Sequence, residues 1–357
     1  EYLFAAAMDA LGIPTGRALA VAGTGETIFR DGWVPGAVLA RVAASHLRLG
    51  NLEYAVRLPD ETVLRRLADH AIARHHPGVA ELDDPYLGFL DAVVGAQAEL
   101  VARWMLVGFV HGVLNTDNTT ISGETIDYGP CAFMDAFDPA TVFSSIDHGG
   151  RYAYGNQPTI TQWNLARLAE TLIPLVEGDD DASIAAVTAV LETFDDRYRR
   201  AWVDGMGTKL GLPRPSAEEQ ALFGDLLDLL HAHRVDYTST FRALAASLRG
   251  DGAPLADLFG GSGAPDHWVG RWRASLVERS SDLPAVADAM DAVNPVYVPR
   301  NHLVEEALAA AVDGDLAPFE ELMAILRHPF EERPGADRFA RPAPASFTDT
   351  FQTFCGT

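Results

Sequence analysis

The chain has 357 residues, 48% of them hydrophobic, enough for two domains or for one domain of two lobes around a large core. Fifty acidic residues against 27 basic ones leave a formal net charge of −23, which argues against a nucleic acid or an anionic membrane as partner. Only two cysteines, Cys131 and Cys355, are present, too few for a disulfide-stapled secreted framework or a cysteine-rich zinc site.

Residues 1–11 predict a helix with Leu3, Phe4, Ala7, Met8 and Leu11 on one face, ended by Gly12 and Pro14. Four short β-rich runs follow, at 18–22, 27–29, 38–43 and 52–56, separated by glycine-containing turns, and predict a small antiparallel sheet. From about Asp60 the pattern turns helical. Residues 61–74 are amphipathic and stop at His75-His76-Pro77, a C-terminal cap, and 86–110 form a long apolar helix. Residues 111–160 are irregular, and a stretch of that length inside a compact domain is usually functional. Helices resume at 161–175, 183–202, 217–231, 239–249 and 301–312, with a loop at 250–265 and an extended tail from 342. The run Glu177–Asp181 fits a solvated helix start, and Trp163 is expected in the core. The apolar stretch 100–114 is interrupted by Arg103 and too short to span a bilayer, and no signal peptide is visible, which predicts a cytoplasmic protein.

The chemistry lies in His111-Gly112-Val113-Leu114-Asn115-Thr116-Asp117-Asn118, followed after eight residues by Asp127-Tyr128-Gly129. Kinase-type phosphoryl transfer uses H-x-D-x-x-x-x-N and then D-F-G: an acid beside the attacking hydroxyl, a neutral oxygen ligand and a carboxylate for the metal. His111, Asn118 and Asp127 fall on that pattern, while Val113 stands where the catalytic Asp belongs, and valine can neither accept a proton nor orient a hydroxyl. Asp117 is the stand-in. Asn118 and Asp127 supply the hard oxygens that Mg²⁺ or Mn²⁺ prefers. Asp147, His148, Arg151 and Tyr152 are further candidates for lining the cleft, with a structural role for His148 as the alternative.

The match extends beyond the motif. H-G-V-L-N-T-D-N…T-I-D-Y-G-P, then D-A-F-D-P, D-H-G-G-R-Y-A-Y-G-N-Q-P and W-N-L-A-R-L-A, together with the opening E-Y-L-F-A-A-A-M-D-A-L-G-I-P-T-G-R-A-L, closely resemble the selenoprotein O family. The resemblance is strong over most of 1–175 and looser beyond. It implies an α+β, protein-kinase-like fold: residues 1–58 as part of a small β-rich N-lobe, and 59–357 as a large, mainly helical C-lobe carrying the site at 111–130. It also implies the activity. Family members are pseudokinases that move AMP from ATP, bound in a flipped orientation, onto Ser, Thr or Tyr hydroxyls of proteins.

By resemblance, Asp117 is the catalytic base, Asn118 and Asp127 are the ligands of Mg²⁺ or Mn²⁺, and Arg41 and Arg48 bind the phosphates. Glu1 matches the helix glutamate that pairs with the family's nucleotide-binding lysine. That lysine and the glycine-rich loop lie upstream of the E-Y-L-F motif in the family. The only lysine of this chain, Lys209, is no substitute, so a chain cut before Glu1 is expected. Cys355 occupies the place of the family's C-terminal selenocysteine or cysteine, and Phe143 that of a cysteine found in some bacterial relatives. Two free thiols are expected, with a Cys131–Cys355 bridge as the alternative. The competing functions are UMP transfer from UTP, conventional phosphotransfer, which Val113 disfavours, and non-catalytic nucleotide binding.

Overall fold

A computed structural model describes residues 1–30 and 32–354. The chain is organised by one buried helix, α4 (Pro85–Val107). Its start is written in Asp84-Pro85: the Asp84 carboxylate accepts from the N–H groups of Tyr86 and Leu87, and proline fills the first helical position, where no donor is needed. Apolar side chains on almost every side of α4 are buried, as befits a helix at the centre of a bundle.

Before α4 lie α1 (Tyr2–Ala10), the strands β1 (Arg17–Arg30) and β2 (Gly32–Val42), and the helices α2 (Leu49–Ala55) and α3 (Thr62–His75). β1 and β2 form an antiparallel two-stranded sheet from Arg17↔Val42 to Arg30↔Gly32, with shifts of register at Ala18/Ala20 and Gly23/Thr27. Leu19, Phe29, Trp33 and Val38 of this ribbon are exposed. The expected strand at 52–56 is instead the end of α2 and its C-cap, Val56. Asn51 Oδ1 accepts from the Arg48 N–H at 2.9 Å and closes the first turn, and Leu49, Leu52 and Ala55, three apart, are buried together.

After α4, β3 (Phe109–Val110) pairs antiparallel with β4 (Ala132–Phe133), and the intervening segment carries the motif residues. The remainder is helical: α5 (Gln157–Leu172), α6 (Asp180–Lys209), α7 (Ala217–His233), α8 (Tyr237–Leu248), α9 (Ala253–Leu258), α10 (Asp266–Arg279), α11 (Leu283–Asp291), α12 (Asn301–Val312), α13 (Ala317–Leu326), α14 (Asp337–Ala340) and α15 (Ala345–Thr348). The stretch read as a loop at 250–265 contains α9, and α10, α11 and α13 had no counterpart in the sequence reading. Asp179 caps α6 through the Ala182 N–H, the role expected for that acidic run.

Two clusters of buried side chains meet along α4. One holds α1, β3, β4, the end of α6 and the helices α7 to α14; the other holds α2, α3, α5 and the first half of α6. Leu114 and Tyr128 belong to the first and Ile121 to the second, so the motif segment crosses the seam between them. No helix among the described residues is long and apolar enough to cross a membrane.

Candidate active site

Leaving β3, the chain makes a turn that only glycine fits at 112: φ is +84°, and a Cβ there would overlap the Pro130 carbonyl oxygen. His111 is buried. Its backbone N–H donates to Gln157 Oε1, and its ring Nε2 bonds the Ile126 carbonyl at 3.0 Å. Burial pushes its pKa down, which favours the neutral ring, and the bond fixes the residue before Asp127.

A short hairpin links the two halves of the motif. Thr119 bridges Thr125 antiparallel, and Thr120 Oγ1 and the Glu124 backbone exchange hydrogen bonds. Asn118 therefore leaves one side of the hairpin where Ile126 and Asp127 leave the other. Helix α4 clamps this hairpin with residues two turns apart on one face: Gln97 Nε2 donates to the Thr120 carbonyl and Trp104 Nε1 to Thr125 Oγ1. From α5, Asn164 Nδ2 donates to the Leu114 carbonyl at 3.2 Å and to Thr119 Oγ1 at 3.1 Å. None of Gln97, Trp104, Gln157 and Asn164 was singled out from sequence. The available signal was a polar side chain inside an otherwise apolar helix, which must find a partner when buried.

Residues 116–118 form a single 3₁₀ turn. Within it Asn118 Nδ2 donates to the Val113 carbonyl at 2.9 Å, which leaves Oδ1 as the amide's unused acceptor. The Asp117 carboxylate is exposed and lies against Gly50 in the first turn of α2, where any Cβ would overlap its Oδ1. Arg48, just before α2, donates from Nη1 to the Asp117 carbonyl at 3.0 Å. Arg48, Asp117 and Asn118 thus form one group.

Asp127, Glu1 and Arg41 form a second. Asp127 is partly buried with φ +62°, an uncommon conformation that aspartate tolerates better than most residues. Glu1 Oε2 accepts from the next backbone N–H, that of Tyr128, at 2.7 Å, while its Oε1 accepts from Arg41 Nε and Nη2 at 3.0 and 2.7 Å. In this structure Arg41 is the partner of Glu1. The Tyr128 ring stacks on Phe4, and its hydroxyl bonds Thr15 Oγ1, so α1 and the segment before β1 hold this half of the site.

Behind Tyr128 and Gly129 a pocket of about 310 Å³ is lined by Glu1, Phe4, Cys131, Glu305 and the tail residues 351–354. Thr353 Oγ1 donates to the Pro130 carbonyl at 2.7 Å and pins that tail. Cys131 is buried and free, its thiol pKa raised by burial; Cys355 lies outside the described residues. His148 is exposed. Asp147 accepts from the N–H groups of Arg151 and Tyr152, so its carboxylate shapes a loop. No cluster of three or more His, Cys, Asp or Glu suited to a metal occurs among the described residues, so a cation at this site would rely on the amide oxygen of Asn118, the carboxylate of Asp127 and the nucleotide itself.

Comparison with known proteins turns this geometry into a class. Residues 1–327 match the family model described as protein adenylyltransferase SelO. The protein nucleotidyltransferase YdiU of Mycolicibacterium paratuberculosis is 57% identical over 363 residues, covering all of this chain and 72% of the relative. That of Rhodococcus jostii is 58% identical over 365 residues, covering all of this chain and 70% of the relative. The class is an enzyme, a nucleotidyltransferase. The chain belongs to the SelO family of protein adenylyltransferases.

Proposed function

We propose that this chain folds as a protein-kinase-like pair of lobes, divided near residue 58, and transfers AMP from ATP to Ser, Thr or Tyr hydroxyls of proteins. The observation that carries the reading is the amide of Asn118: its nitrogen is committed to the Val113 carbonyl, which leaves its oxygen free, and the hairpin closed by the Thr119–Thr125 bridge returns the chain from Asn118 to Asp127. An amide oxygen and a carboxylate are the hard donors that suit Mg²⁺ or Mn²⁺ beside phosphate oxygens. A bound cation there would supply charge neutralisation at the phosphates.

The chain's own residues account for the rest. Asp117 accepts the proton of the attacking hydroxyl, whose oxygen bonds the α-phosphorus as the bond to the β-phosphate oxygen breaks and pyrophosphate leaves. Valine at 113 does not obstruct this, because the position contributes its backbone carbonyl rather than a side chain. Arg48, anchored on the Asp117 carbonyl through Nη1, has its remaining N–H groups for phosphate oxygens. Arg41 is held by Glu1 beside Tyr128 and faces the Asp127 half of the site in the same role. The planar guanidinium suits a job that the chain's single buried lysine cannot do.

The test is label transfer. With a protein acceptor and Mg²⁺ or Mn²⁺, label from the α-phosphate of ATP is retained on protein and label from the γ-phosphate is not. Transfer from the γ position would establish a conventional phosphotransferase, and suppression by UTP with uridylyl product would establish UMP transfer. Nucleotide binding without transfer under any condition would leave a binding module.

A further inference from the structure

We propose that Trp163, stacked between the guanidinium groups of Arg151 and Arg167, is a docking point for an acidic stretch of the acceptor protein; this rests on the nucleotidyl-transfer reading above. The sequence placed Trp163 in the core, yet the residue is 43% exposed on α5. The Arg151 guanidinium carbon lies 4.6 Å from the indole centroid and that of Arg167 5.0 Å from it. Arg151 is held in place by its loop, since the Asp147 carboxylate accepts from the N–H groups of Arg151 and Tyr152 at 2.8 Å each. A guanidinium stacked on an indole keeps its N–H edge available for a carboxylate, with less side-chain freedom left to lose on binding.

The location ties this stack to the reaction. The neighbouring residue, Asn164, points inward and bonds Leu114 and Thr119 on either side of Asp117. Arg167 also lines a small pocket of about 130 Å³ between α2 and α5, together with Glu53, Arg57 and Glu170. Helix α2 runs back from that pocket to Gly50, which touches Asp117. At 1.5 Å per helical residue, the stack lies on the order of 10–15 Å from Asp117. An extended peptide covers that distance in roughly three to five residues.

The local charge is also out of keeping with the molecule. In a chain of net charge −23, three guanidiniums gather here against the two carboxylates of Glu53 and Glu170, and neither Arg57 nor Arg151 has an ion-pair partner among the described residues. Arg167 is paired with Glu170 at 2.5 Å. The Arg151 guanidinium, without an ion-pair partner among the described residues and backed by the Trp163 ring, fits an aspartate or glutamate side chain near the acceptor hydroxyl.

The experiment is peptide binding by fluorescence anisotropy without nucleotide. Two labelled peptides share one serine; one carries glutamate three to five residues to either side of it, the other glutamine. The wild-type chain is expected to bind the glutamate peptide at least 5-fold more tightly. Arg151→Gln and Trp163→Leu, both at exposed positions, should erase the preference with an unchanged melting temperature. Equal affinity of the wild-type chain for the two peptides, or a preference that survives Arg151→Gln, overturns the proposal. Because no transfer is measured, the result is independent of the label-transfer test, whose failure would strike the catalytic reading instead.

Discussion

The side-chain nitrogen of Asn118 rests 2.9 Å from the backbone carbonyl of Val113, the residue that replaces the aspartate of the kinase pattern. The position where the kinase pattern has its aspartate thus orients a candidate metal ligand through its backbone carbonyl. Asn118→Ala removes both the amide oxygen and this bond. The stability cost should be about 1 kcal/mol, the usual net worth of one hydrogen bond. Transfer activity should fall by at least two orders of magnitude. A melting curve and an initial-rate assay on the same preparation separate the two effects.

Gly50 offers an unusual dissociation of stability from activity. Alanine is favoured over glycine inside a helix by about 1 kcal/mol, so Gly50→Ala should leave the melting temperature unchanged or raise it. Its methyl group would nonetheless overlap the Asp117 carboxylate and displace it. The expected outcome is a kcat lowered 10-fold or more in a protein that is at least as stable as the parent.

Arg41 and Arg48 should differ in what they report. Arg41→Ala releases Glu1, which remains bonded to the Tyr128 N–H, so nucleotide KM should rise several-fold with modest loss of stability. Arg48→Ala frees the Asp117 carbonyl and should therefore lower kcat as well as raise KM. Steady-state kinetics with varied ATP distinguishes the two patterns.

Lys209, buried at the end of α6, has its pKa pulled down to about 7 by desolvation. The ring faces of Phe241 and Tyr237, 3.8 and 5.5 Å from its nitrogen, offset part of that penalty by attracting the charged form. With the folded-state pKa below the unfolded value of 10.5, the unfolded chain holds more protons between pH 7 and 10.5. Folding stability contributed by this group therefore rises with pH across that window and is flat below it. Lys209→Met should flatten the rise, as read from denaturant midpoints at pH 7, 8 and 9.

The sequence was most legible where chemistry demands particular residue types. Asp117, Asn118 and Asp127 stood out because acid, amide and acid stand at the separations of a known motif. What holds the hairpin was not legible, since Gln97 and Trp104 act on it from twenty residues away and only the folded chain shows which carbonyl or hydroxyl each reaches. Residues 52–56 misled for a related reason. Their composition suits a strand, but the Asn51 cap and the burial of Leu49, Leu52 and Ala55 together decide for helix. Trp163 was misplaced because hydrophobicity alone cannot reveal two arginines, one from α5 and one from the loop that leads into it, sharing its ring.

The most direct test of the account is binding of Mn²⁺–ATP to Asp127→Ala beside Asp117→Ala. Asp127→Ala should lose metal-dependent nucleotide binding, whereas Asp117→Ala should bind as the parent does and transfer nothing. Parent-like Mn²⁺–ATP binding by Asp127→Ala, or parent-like transfer by Asp117→Ala, would contradict it.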